Sequence, residues 1–177
     1  MGNLVAEAML DRVADQGVTI AITNGGGLRA SIDAGEVTMG EVLTVLPFQN
    51  TLSTFETTGA NIVAALENGV SQVEEGAGRF PQIAGLQFTW DPEAEPGSRI
   101  VDVYVASGMD WEPIDPEETY LAVTNNYVRN GGDGYSVFEG AANAYDFGPD
   151  LADVTAEYLA AMGPYEPFTD GRIKTAE

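Results

Sequence analysis

Residues 18–23, VTIAIT, form a short β-branched run that Asn24 alone separates from three glycines in a row. A run this short and apolar reads as a buried strand. In front of it, residues 3–15 (NLVAEAMLDRVAD) place Leu4, Val5, Ala8, Met9 and Val13 at helical spacing, and Gly17 ends that helix. A helix followed at once by a buried strand and a glycine turn restricts the chain to layered folds in which helices pack on a sheet.

The remaining pattern extends this order. TMGEVLTVLPF (38–48) opens with Thr38 and Glu41 in capping-box spacing and predicts a helix stopped by Pro47. TLSTFETT (51–58) alternates as a strand, and GANIVAALENGV (59–70) is helical with Thr58 as its cap. Strands are expected at 84–91, 99–106 and 119–125, with the polar turn DPEAEPGS between the first two. DLADVTAEYLAAMG (150–163) is amphipathic, and the tail from Pro164 is expected to be irregular. The pattern predicts a single mixed α/β (α+β-like) domain over residues 1–177, one mixed sheet packed by helices, with no internal repeat or linker.

Composition narrows the chemistry. The chain holds 28 acidic against 7 basic residues, a net charge of −21. Such a surface repels duplex nucleic acids and anionic membranes. The acids are scattered and are read as a solvating surface, suited to a saline or extracellular setting. Cysteine and histidine are both absent. Disulfides are therefore excluded, as are Ser-His-Asp and Cys-His machinery, and an ordinary zinc or iron site has no ligands of its usual kind. No calcium loop of the D-x-[DN]-x-[DN]-G type occurs. No apolar run is long enough to span a membrane. The chain opens directly on a helical pattern, as an excised piece of a longer protein would, without the charged and apolar regions of a signal peptide.

Two glycine-rich loops carry the functional signal: TNGGGLR at 23–29 and NYVRNGGDGY at 126–135. Each follows a predicted strand, and ligands of α/β domains gather beyond the carboxyl ends of strands. Neither matches a dinucleotide fingerprint or a phosphate-binding P-loop. Gly25, Gly26, Gly27, Gly131 and Gly132 allow tight turns and close backbone approach. Arg29 offers a planar fork for phosphate or carboxylate. Asp133 offers acceptors for two vicinal hydroxyls, and Asn24 an amide for the edge of a heterocycle. Phe48 and Tyr127 are aromatics displayed on loops, where a flat base can stack. Each feature alone is ordinary turn, core or surface chemistry; together they match the parts of a nucleotide.

TNGGGLRASIDAGEVTMGEVLTVLPFQNTL, GRFPQIAGLQF and TNNYVRNGGDGY, in this order, resemble the C-terminal domain of the 5′-nucleotidases. UDP-sugar hydrolases and 2′,3′-cyclic-nucleotide phosphodiesterase/3′-nucleotidases are relatives of that family. The resemblance extends from GNL at 2–4 to the late helix. It implies a substrate-binding domain that works beside an N-terminal metallophosphoesterase domain holding two divalent metal ions. By the same resemblance, Phe48 and Tyr127 sandwich the base and Asn24 contacts it. Asp133 then holds the ribose hydroxyls, and Arg29 helps hold the phosphate end. Tyr127 stands where the family often has phenylalanine. A further family arginine belongs upstream of GNL, outside this sequence, and Arg12 does not align with it.

The resemblance further implies that the catalytic and metal-binding residues belong to the other domain. No metal, cofactor or catalytic group is then expected in this chain, which on its own is expected to be inactive. The expected partners are a nucleotide or nucleoside and the N-terminal domain, and the expected location is periplasmic or extracellular. A stand-alone nucleoside- or nucleotide-binding module is the alternative. A relation to thiosulfohydrolases is disfavoured by Phe48 and Tyr127, because a small sulfur oxyanion needs no base clamp.

Overall fold

The computed structural model describes residues 1–176, which form five α-helices and nine strands. The first helical stripe becomes α1 (Gly2–Val13), with Leu4, Val5, Ala8, Met9 and Val13 buried. A short turn ends at Gly17, and β1 (Ile20–Asn24) follows, buried along its whole length. In α2 (Met39–Val45) the capping box forms as expected: the Glu41 N–H donates to Thr38 Oγ1, and the Thr38 N–H donates to the Glu41 carboxylate at 2.8 Å. β2 (Leu52–Thr58) leads directly into α3 (Gly59–Val70), capped by Thr58. Then come β3 (Pro81–Ala84), β4 (Leu86–Trp90), β5 (Ile100–Ser107), β6 (Asp110–Pro113) and β7 (Thr119–Asn125). A single helical turn, α4 (Asn126–Arg129), is followed by β8 (Ala142–Tyr145), α5 (Leu151–Met162) and β9 (Ile173–Thr175).

The expected mixed α/β class is observed, but the strands divide between two sheets where the pattern suggested one. The larger sheet has the order β3-β1-β7-β2-β8, and the smaller β6-β5-β4-β9. Both are mixed: β1 runs parallel to β7 and β9 parallel to β4, while the other pairs are antiparallel. The tail expected to be irregular supplies β9, which pairs Phe88 with Ile173. β6 and β8 are four-residue edge strands exposed throughout, so no apolar alternation announces them.

Alternating side chains of the large sheet build two cores. Ile20 and Ile22 of β1, Phe55 of β2, Ile83 of β3 and Ala122 of β7 face one side. There they meet α3 and the inner face of the small sheet, including Phe88 and Val103. Ala21, Leu52, Ala84 and Val123 face the other side, against α1, α2 and α5. The large sheet is thus covered on both faces, which is why β1 is buried at every position rather than at alternate ones.

Gly85 is the residue at which the chain leaves the large sheet (β3) for the small one (β4). Its φ is +71°, and a Cβ there would overlap the Thr19 carbonyl oxygen. Gly85→Ala therefore meets both backbone strain and a backbone clash. The strain alone is worth about 1–3 kcal/mol. The urea midpoint is expected to fall by at least that equivalent, at unchanged denaturant slope.

Candidate functional site

The topology brings four distant segments to one edge of the large sheet. β1 and β7 are parallel, in register at Ile20–Ala122 and Ala21–Val123, so both end on the same side. β2 runs antiparallel to β7 with Leu52 opposite Asn125, which brings the segment before β2 to that side. β3 runs antiparallel to β1 with Pro81 opposite Asn24, which adds residues 78–80. Both glycine loops and the Phe48 segment therefore meet beyond the carboxyl ends of β1 and β7, where ligand sites of α/β sheets form.

The triple glycine packs backbone on backbone. The Gly25 N–H donates to Phe80 O at 2.8 Å and the Gly26 N–H to Gly78 O at 2.7 Å. A Cβ on Gly26 would lie 2.8 Å from the Gly78 Cα. Two of the loop's N–H groups are thus committed to the GRFPQ segment, and the glycines permit that close approach.

A chain of buried amides links the loops. Asn125, 1% exposed, accepts from the Val128 N–H at 2.9 Å and so caps α4. Its Nδ2 donates to Thr23 Oγ1 at 2.9 Å and to Asn24 Oδ1 at 3.0 Å. Asn24 Nδ2 then donates to Asp133 Oδ2 at 2.7 Å. The other carboxylate oxygen, Oδ1, accepts from the Tyr127 hydroxyl at 2.9 Å. Charge-assisted bonds of this kind are stronger than neutral ones. Asp133 sits in the left-handed region at φ +54°, which Asp tolerates better than most residues. Its carbonyl accepts from Asn68 Nδ2 at 3.1 Å, and Asn68 Oδ1 in turn accepts from Arg79 at 3.1 Å. The hydrogen bond to Asp133, and burial after it, hold the Tyr127 phenol above its ordinary pKa. The phenol therefore keeps its donor proton through neutral pH.

Of the five side chains singled out in the sequence, the structure joins Asn24, Tyr127 and Asp133 in direct hydrogen bonds. Phe48 lines a recess of about 10 Å³ with Asn24, Asn50, Leu28 and Asn125. Phe48 is 57% exposed and Tyr127 46%. Neither pairs with another aromatic ring among the described residues. Arg29 stands at the end of the glycine turn, with its guanidinium on Gly26 O at 3.2 Å. Among the described residues it forms no ion pair, although acids outnumber bases fourfold.

Sequence reasoning passed over Asn125, Asn50, Asn68 and Arg79. Asn125 lies within the TNNYVRNGGDGY motif, and an asparagine between a strand and a helical turn is a cap signal. Nothing in its neighbourhood announces the reach to Asn24, 101 residues away. Among the described residues, no three His, Cys, Asp or Glu side chains converge as a metal-binding group. No helix among them is long and apolar enough to cross a membrane.

Comparison with known proteins supplies the family. Residues 1–140 match the family described as 5′-nucleotidase, C-terminal domain. The chain is 45% identical to the trifunctional nucleotide phosphoesterase protein YfkN of Bacillus subtilis, covering 98% of this chain and 12% of that protein. It is 30% identical to the 5′-nucleotidase of Homo sapiens, again over 98% of this chain and 33% of the relative. The crystal structure of a 5′-nucleotidase precursor from Thermus thermophilus superposes with a TM-score of 0.96 at 44% identity, covering 98% of this chain and 34% of that one. The chain thus spans about a third or less of each of these longer proteins. It belongs to the 5′-nucleotidase C-terminal domain family.

Proposed function

We infer that residues 1–177 form the substrate-holding domain of a nucleotide-hydrolysing phosphoesterase of the 5′-nucleotidase type. The observation that carries this reading is the meeting of Asn24, Tyr127 and Asp133 beside Phe48, at one edge of the sheet. Phe48 and Tyr127, both exposed, supply in this reading the rings on which a base stacks. Asp133 accepts from the ribose hydroxyls. Asn24, whose amide holds the Asp133 carboxylate, adds the base contact that the family resemblance implies. Arg29, without a carboxylate partner, holds the phosphate end.

In this reading, water activation and the clamp on the phosphoryl group come from two divalent metal ions in an N-terminal metallophosphoesterase domain. The residues of this chain bind the nucleotide and fix its orientation, which converts an encounter into a positioned reaction. The chain alone is then catalytically silent. Incubated with AMP and manganese, cobalt or zinc, it is expected to release no phosphate. Metal-dependent turnover that co-elutes with the chain through repurification overturns that expectation.

Alanine at Phe48 or Tyr127 removes a stacking face. In the full-length enzyme each is expected to weaken nucleoside binding by about 1–3 kcal/mol, the range for one aromatic–base stack. Wild-type affinity in both variants would return the two rings to a purely structural role.

Arg29 and Asp133 are separated by ligand chemistry. Arg29→Ala is expected to weaken AMP more than adenosine, and added salt to shrink that difference. Asp133→Asn is expected to weaken AMP more than 2′-deoxy-AMP. Titration of all three ligands, alongside melting temperature, decides between site and scaffold. Uniform losses that track the melting temperature remove both residues from the site.

A further inference from the structure

We propose that the Tyr127 hydroxyl is a specificity-determining group that joins the base-stacking ring and the ribose-binding carboxylate into one rigid unit. The proposal rests on the reading of Asp133 as the acceptor for a ribose diol.

A carboxylate offers about four acceptor positions on its two oxygens. Here one position on each oxygen is filled from within the protein: Oδ1 by the Tyr127 hydroxyl at 2.9 Å and Oδ2 by Asn24 Nδ2 at 2.7 Å. One position on each oxygen is left, which suits two vicinal hydroxyls. With a donor on both sides, the carboxylate cannot rotate about its Cβ–Cγ bond without breaking a charge-assisted bond. The two remaining positions are therefore fixed in direction before a ligand arrives.

The same hydroxyl fixes the ring. It accepts from the Asp133 N–H at 3.3 Å while donating to the carboxylate. The ring lies against Gly132, where a Cβ would stand 2.6 Å from Tyr127 Cε1 and Cζ. The ring is thus held against the glycine turn, while the residue as a whole stays nearly half-exposed. A phenylalanine at this position keeps both faces and loses both hydrogen bonds. Base and sugar recognition then act as independent contacts. With tyrosine, stacking on the ring and bonding to the carboxylate each reinforce the geometry that the other needs.

The coupling is measured on the full-length protein with adenosine and 2′-deoxyadenosine, nucleosides that carry no phosphoester to cleave. The wild type is expected to prefer adenosine by about tenfold or more, the scale of one hydrogen bond to a charged group. Tyr127→Phe is expected to reduce that preference to about threefold, with 2′-deoxyadenosine affinity within about twofold of wild type. Asp133→Asn is expected to abolish the preference, and adding Tyr127→Phe to it to change the ratio no further. An undiminished preference in Tyr127→Phe, beside a lost one in Asp133→Asn, overturns the role of the phenol and leaves the ribose reading intact. So does an equal loss for both nucleosides in Tyr127→Phe, because a purely structural role lowers both alike. A wild type indifferent to the 2′-hydroxyl, or an Asp133→Asn variant that keeps its preference, overturns the ribose reading and the coupling with it.

Discussion

One buried amide, that of Asn125, holds the candidate site together. Its oxygen starts α4 and its nitrogen reaches the end of β1, so the directions of both glycine loops are set from one side chain. The register of β1 on β7 puts these ends side by side, and antiparallel β2 and β3 bring in Phe48 and the GRFPQ segment. Removing a buried partner of this kind leaves other polar atoms unpaired, at about 1–3 kcal/mol each. Asn24 would lose the donor to its oxygen and the Val128 N–H its acceptor. Stability and site geometry thus depend on the same bonds.

Much of the fold follows from local rules and was legible in the sequence. The box between Thr38 and Glu41, the Thr58 cap, and β1 as a run buried on both faces all express local chemistry. What escaped depends on distant partners. β9 forms because Arg172 pins the tail: its guanidinium reaches Glu7 of α1 at 2.7 Å, Asp170 at 2.7 Å and Ile83 O at 2.9 Å. No periodicity in a three-residue strand announces that anchor. The division into two sheets turns on Gly85, which as a letter in the sequence is one glycine among 21.

The site was legible in a different way. Gly-rich turns after strands marked where a ligand could sit, and the family resemblance named the side chains expected to face it. Neither foretold that Asn24 and Asp133, 109 residues apart, bond directly. Nor could the choice of tyrosine over phenylalanine at position 127 be weighed while the hydroxyl had no visible partner. Spacing carries turn chemistry well, whereas the commitment of a particular lone pair depends on tertiary placement.

The arginines show how so acidic a chain can still keep one guanidinium apart from its carboxylates. Arg99 is buried on Val70 O and Ala94 O and pairs with Glu74. Arg129 lies over Phe55 and bonds Phe138 O, and Arg172 anchors the tail. Arg12 pairs with Glu157 on the surface, and Arg79 braces Asn68 and Ser71. Arg29 is left with a single backbone carbonyl. The net charge of −21 sets up a field that opposes an approaching phosphate. That field acts over distance, and at physiological ionic strength charges more than about 8 Å apart are largely screened. A guanidinium in contact with the phosphate acts within that length, through directed hydrogen bonds. Salt therefore weakens the opposing field more than it weakens the contact. An acidic surface and a nucleotide-holding arginine are compatible, provided that the arginine is kept free of the acids around it.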